Sequence, residues 1–117
     1  MVEVIRLDHK GWGWNGVIPG FGLLAEDFSE PYIHHYELRG DECVFSADIR
    51  IPYEPFCGVM GVAPARAGRV TTHPPRENAG NVDIRHLTAG ATVRLPVWVN
   101  GALFSCGDCH AARATER

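Results

Sequence analysis

The sequence predicts a mostly β fold, a sandwich or jelly-roll-like assembly of short strands joined by long loops. Apolar stretches are short and rich in β-branched and aromatic residues. Thirteen glycines and eight prolines are spread evenly along the chain and interrupt every run. The segments that read as helix are single turns, so a sheet architecture suits the pattern better than a helical bundle.

"VEVIRL" alternates apolar and polar residues and reads as a half-buried strand. "GWGWNGVIPGFG" is dense in turn formers and reads as a loop or irregular ribbon. "LLAEDFSE" starts as a helical turn that Pro31 stops, and "YIHHYEL" follows as a strand. "CVFSADIRI" reads as one extended run closed by Pro52. "YEPFCGVMGVAPARAGRV" reads as loop with short extended pieces, and "HPPRENAGN" as an irregular loop. "DIRHL" makes one helical turn closed by Gly90. "ATVRLPVWV" then reads as a strand whose Pro96 marks an edge or a bulge. Asn100-Gly101 is a strong hairpin signal, with "ALFSC" as the returning strand.

The chain has 117 residues, enough for one domain at most, taken as residues 1–117. Its hydrophobic fraction of 45% and charged fraction of 21% are ordinary globular usage and argue against disorder. A formal charge of −3 without a run of Lys or Arg makes nucleic acid and anionic membranes poor partners. No stretch approaches the ~20 apolar residues of a membrane span, and the start has no signal-peptide core. The expected location is therefore the reducing cytoplasm, with the four cysteines as thiols or ligands.

"CGDCH", Cys106 to His110, has the spacing at which c-type haem is attached, and Cys-x-x-Cys is also a redox or half-zinc pattern. A cytosolic chain is a poor candidate for haem attachment, and no haem is expected. Cys43 and Cys57 offer no second zinc knuckle and read as buried, inert thiols. A thioredoxin-like pair would open a helix in a βαβ setting, which this sequence lacks. Cys106 keeps the option of a nucleophile because His110 lies near it in sequence.

Three polar or aromatic clusters remain. Asp108 and His110 are two residues apart, so on a strand they share a face. A carboxylate and an imidazole there suit a divalent metal such as zinc, or a base with its orienting partner. Asn81 and Asp83 offer the same geometry from a second segment. Either pair can equally serve only to satisfy turn backbone. Trp12 and Trp14 read as core, as a subunit contact, or as a stacking platform for a ligand.

The order of the blocks "GWGWNGVIPGFGLLAEDF", "IPYEPFCGVMGVAPARAG" and "NAGNVDIRHLTAGATVRLPVWVNGALFSCGDCHAA" resembles the acetamidase/formamidase family over nearly the whole chain. In that family the last element runs Gly-Asp-x-His-Ala-Ala, so Asp108 and His110 match, and the pattern does not require cysteine at 106 or 109. The resemblance implies hydrolysis of a small linear amide to a carboxylate and ammonia. It also implies a homo-oligomer and a divalent metal, zinc. By the same resemblance, Asp83, Asp108 and His110 are expected to hold the metal. Asp83 and Asp108 are expected to be catalytic and Asn81 to contact substrate. Trp14 is expected to contact substrate as the stacking platform its residue type allows, and not by that match. Two positions depart from the family pattern His-Gly-Gly-Asn-x-Asp: Asn78 stands for the histidine and Ala79 for a glycine. "RATER" at Arg113–Arg117 replaces Gln-Gly-Asp-Gly-Glu. Family members are longer, so the chain is expected to be a central segment truncated at both ends. The alternative reading is a catalytically silent β module for ligand binding or subunit assembly.

Overall fold

The computed structural model describes residues 1–113. Seven short strands form two sheets, so the architecture is mostly β as expected, and no sheet closes into a barrel among the described residues. The chain divides into two compact units, one of them His9–Tyr53.

That unit is an antiparallel meander in the order β1-β2-β3-β4, comprising β1 (Trp12–Val17), β2 (Tyr32–Arg39), β3 (Glu42–Val44) and β4 (Arg50–Pro52). Its core face carries Leu38, Cys43 and Ile51 in register across three strands, with Leu38 and Cys43 buried. Gly13 lies opposite Tyr36 on the same face. A Cβ at Gly13 would come within 2.7 Å of the Tyr36 ring, so only glycine lets this ring lie across the edge strand.

The glycine-dense "GWGWNG" lies in a regular strand and not in the expected loop or irregular ribbon, because cross-strand ring packing outweighs the low strand preference of glycine. The run "CVFSADIRI" is not one strand either. It folds back between Val44 and Arg50, closed by Phe45 N donating to Ile49 O at 3.0 Å. A hairpin gives each half a paired neighbour, and Leu38, Cys43 and Ile51 then share the buried face. "YIHHYEL" is a strand as read, within β2.

The second unit holds β5 (Phe56–Gly61), β6 (Ala79–Asn81) and β7 (Ser105–His110) in the antiparallel order β6-β5-β7. Phe56, Cys57, Met60 and Val62 are its buried apolar residues. The stretch around Phe56 was expected to be mostly loop, yet it supplies the central strand. Its two glycines hide its character from a pattern reading, and burial on both faces leaves no polar alternation.

Two further expectations fail in this unit. Residues 2–7 alternate but form no strand. The Asn100-Gly101 hairpin does not form, and residues 91–99 are not a strand. The type I′ turn that Asn-Gly favours in a two-residue hairpin needs positive φ at both of its central residues. Here Asn100 and Gly101 do form the centre of a turn closed by Ala102 N donating to Val99 O. Positive φ falls on Gly101, Ala102 and Leu103 and not on Asn100, however, and the flanking residues do not pair as strands. The turn is tied to β5's exit by Ala63 N donating to Ala102 O at 2.9 Å. The strand that follows starts three residues later than read and pairs with β5.

Candidate metal centre

The site is assembled on the second unit's sheet. Phe56 and His110 are register partners on β5 and β7, and their rings stack at 4.9 Å between centroids and 6° between planes. Alternation along each strand then places Gly58 and Asp108 on this same face. The third group comes from beyond β6. Val82 N and Asp83 N both donate to Gly58 O at 3.0 Å, and Asp83 adopts φ 47, which carries its carboxylate over Gly58. Arg113 hydrogen-bonds the Asp83 carbonyl.

His110 Nε2 lies 3.2 Å from Asp83 Oδ1 and 3.6 Å from Asp108 Oδ2. One ligand atom from each of the three residues falls within 4.8 Å of the others. A Cβ at Gly58 would stand 2.6 Å from both Asp83 Oδ1 and His110 Nε2, so the missing side chain is the floor of the site. Asp108 also has a left-handed φ, of 50. Aspartate tolerates that region better than most residues, but two such carboxylates in one cluster mark backbone strain held in place by the surrounding sheet.

Asp83 Oδ1 and His110 Nε2 are buried and make no hydrogen bond despite their proximity. Buried polar atoms without a partner are costly. A cation between them removes that cost. Oxygen and nitrogen ligands bound at about 2.0–2.2 Å in a tetrahedron stand about 3.3 Å apart, close to the two separations found here. The residues present therefore fit a divalent metal of the kind that takes mixed carboxylate and imidazole donors.

The structure thus brings together Asp83, Asp108 and His110, as the two-segment reading required. Asn81 sits on β6 opposite Val59, partly buried. Trp14 lies in the other unit, on β1 opposite His35, and both Trp12 and Trp14 have more than half their surface exposed, so within this chain neither is core. Asn78 is partly buried and its Nδ2 donates to Val62 O at 2.9 Å, with Oδ1 left unpaired. Ala79, standing where the family pattern has glycine, adopts φ 66, a conformation glycine accepts more readily. Of the "RATER" end, residues 114–117 lie outside the described residues. Sequence reasoning missed Phe56, Gly58 and Arg113. No motif marks the first, and the second was hidden inside a stretch read as loop.

The cysteines do not join the cluster. Cys57 is buried with its Sγ 3.9 Å from that of Cys109, and burial, then the adjacent Cys109 and Cys106, push its thiol up to about 12.

A family model, the Acetamidase/Formamidase family, matches residues 65–114, the span that carries Asp83, Asp108 and His110. This chain resembles the acetamidase/formamidase family. It is 54% identical over 39 residues to an acetamidase of Mycolicibacterium smegmatis, covering 33% of this chain and 10% of that protein. It is 46% identical over 46 residues to a formamidase of Methylophilus methylotrophus, covering 39% of this chain and 11% of that one. The solved structure of an acetamidase from Bacillus halodurans superposes with a TM-score of 0.88 at 35% identity, over 96% of this chain. That match takes in 38% of the Bacillus chain, so the chain corresponds to a part of an acetamidase/formamidase fold.

Proposed function

We propose that this chain carries the metal centre of an amidohydrolase of the acetamidase/formamidase type, acting on a small linear amide to give a carboxylate and ammonia. The observation that carries the reading is the pair of buried, unpartnered atoms Asp83 Oδ1 and His110 Nε2, with Asp108 Oδ2 beside them. Asp83, Asp108 and His110 would hold the cation, and zinc suits this donor set. When bound, a divalent cation supplies Lewis acidity, lowering the pKa of water from ~15.7 to ~7 and polarising a carbonyl.

The chain's own residues supply position and proton handling. Phe56 fixes the His110 ring by stacking, and Gly58 leaves the space in which Asp83 and His110 converge. In this reading Asp108, the most exposed of the three groups, takes a proton from water and passes it to the departing amine, which its exposure supports. Asn81 contacts the amide in this reading. Exposed apolar side chains such as Trp14, Ile18, Phe21 and Leu24, and a sheet whose edge strands are β1 and β4, support assembly as a homo-oligomer. No helix among the described residues is long and apolar enough to cross a membrane. Four free thiols support a reducing, cytoplasmic setting.

The test is metal analysis of purified protein together with ammonia release from formamide and acetamide. About one zinc per chain, with release abolished by a chelator, is the expected result. Folded, zinc-loaded protein that releases no ammonia would overturn the activity. The second reading, a silent β module, is favoured by the engaged Asn78 amide. It predicts folded protein that retains no metal.

A further inference from the structure

Cys57 and Cys109 are register partners on β5 and β7, the first buried and the second exposed, both free thiols with Sγ atoms 3.9 Å apart. Each sits between two residues of the metal centre's neighbourhood: Cys57 between Phe56 and Gly58, Cys109 between Asp108 and His110. Alternation along the strands sends the sulfurs to the face opposite the metal centre. The thiol pair is thus a separate cluster on the back of the same two strands.

We propose that Cys57 and Cys109 are a modification site, closing reversibly into a cross-strand disulfide. A disulfide needs Cα atoms about 4.4–6.8 Å apart. Residues directly opposite on antiparallel strands stand about 4.5 or 5.5 Å apart, so either kind of pairing falls inside that window. The sulfurs already approach each other, and closing the remaining gap takes side-chain rotation with the ladder in place. The Cys-x-x-Cys pair suggested by the sequence fares worse. Cys106 and Cys109 are three residues apart on one strand and Cys106 lies opposite Met60, whereas Cys109 is the direct register partner of Cys57. The Cys106 thiol also acts on Cys57, so the test must tell the two partners of Cys57 apart.

With glutathione disulfide as oxidant, the exposed Cys109 thiolate attacks one sulfur, breaks that S–S bond and releases one glutathione thiolate, which takes up the proton Cys109 lost. Cys57 then attacks the Cys109 sulfur of the mixed disulfide, and its proton passes to the second glutathione released. Two protein thiols lose two electrons in all, and one disulfide is reduced to two thiols. The new bond ties the edge strand β7 to the central strand β5 across a loop of about 50 residues, which restricts the unfolded chain. Asp108 and His110 are carried by the strand so pinned. The proposal stands whether or not a metal is held.

The experiment incubates the full chain under native conditions with glutathione disulfide, alkylates the remaining thiols and maps the peptides by mass. Expected are loss of two hydrogens, alkylation of Cys43 and Cys106 only, and a peptide pair joined through Cys57 and Cys109. Dithiothreitol should reverse it, and the guanidinium midpoint should be higher in the oxidised form. A Cys57–Cys106 link, a Cys106–Cys109 link, glutathione adducts alone, or four alkylated thiols would each overturn the proposal. Since a substitution at Cys109 can disturb its neighbours, the companion is the Cys43→Ser/Cys106→Ser variant, which keeps the pair. It must lose both remaining thiols without an adduct, and retention of both refutes the cross-strand link.

Discussion

Asp83 Oδ1 and His110 Nε2 approach to 3.2 Å over the bare backbone of Gly58, and neither atom has a hydrogen-bond partner. The two residues arrive from different segments, one from a left-handed turn after β6 and the other from the end of β7. The space between them exists because residue 58 has no side chain.

Gly58→Ala follows directly from this. The new methyl would meet both atoms at 2.6 Å and must displace one of them. Zinc affinity, read by competition with a chromogenic chelator, should fall by about 10–100-fold. Overpacking should cost about 1–3 kcal/mol in urea denaturation. An alanine variant with unchanged zinc affinity would mean that these two residues do not share an ion.

Replacing the ligands should separate metal from fold. Asp83→Asn and His110→Ala are each expected to leave the chain folded with less than a tenth of the zinc occupancy, and to reduce amide hydrolysis with it. Circular dichroism and metal analysis on the same samples check this. Phe56→Ala, by contrast, empties a fully buried position under the His110 ring and should cost about 3–5 kcal/mol of stability.

Ala79→Gly should stabilise the protein. Holding an L-residue in the left-handed region costs roughly 1–2 kcal/mol, and Ala79 has φ 66. Glycine gives back part of that gain, about 0.5–1 kcal/mol, through its freer unfolded chain. A net increase of about 0.5–1 kcal/mol is expected in chemical denaturation. A loss of stability would show that the methyl group makes a packing contact worth more than the strain.

Alkali should weaken the His9–Tyr53 sheet. Burial raises the Cys43 thiol above its ordinary 9.0, and burial followed by the nearby Cys43 raises the Tyr36 phenol above 10.0. A raised acid keeps its proton longer in the folded chain, so the associated stability is complete below pH 9 and is lost as pH climbs through the folded values. Thermal melts followed by aromatic circular dichroism should be level to about pH 8 and decline above about pH 9. Tyr36→Phe and Cys43→Ala should each make that decline shallower.

The sequence by itself determined the β character of the chain, the strand at Tyr32–Arg39 and the three polar side chains of the site, because period-two patterning and residue chemistry are local properties. Asp108 and His110 could be put on one face by counting residues. The tertiary structure alone decided which segments pair. It made the glycine-rich Trp12–Val17 and Phe56–Gly61 into strands and denied strand pairing to residues 2–7 and 91–99. It also brought Asp83 to His110 and set Cys57 beside Cys109 in place of the Cys106–Cys109 pairing that spacing suggests. The reason is physical. A strand's partner and a carboxylate's neighbour are chosen by which backbone edges and which gaps, such as that at Gly58, are available after the chain has collapsed, and no window of sequence contains that information.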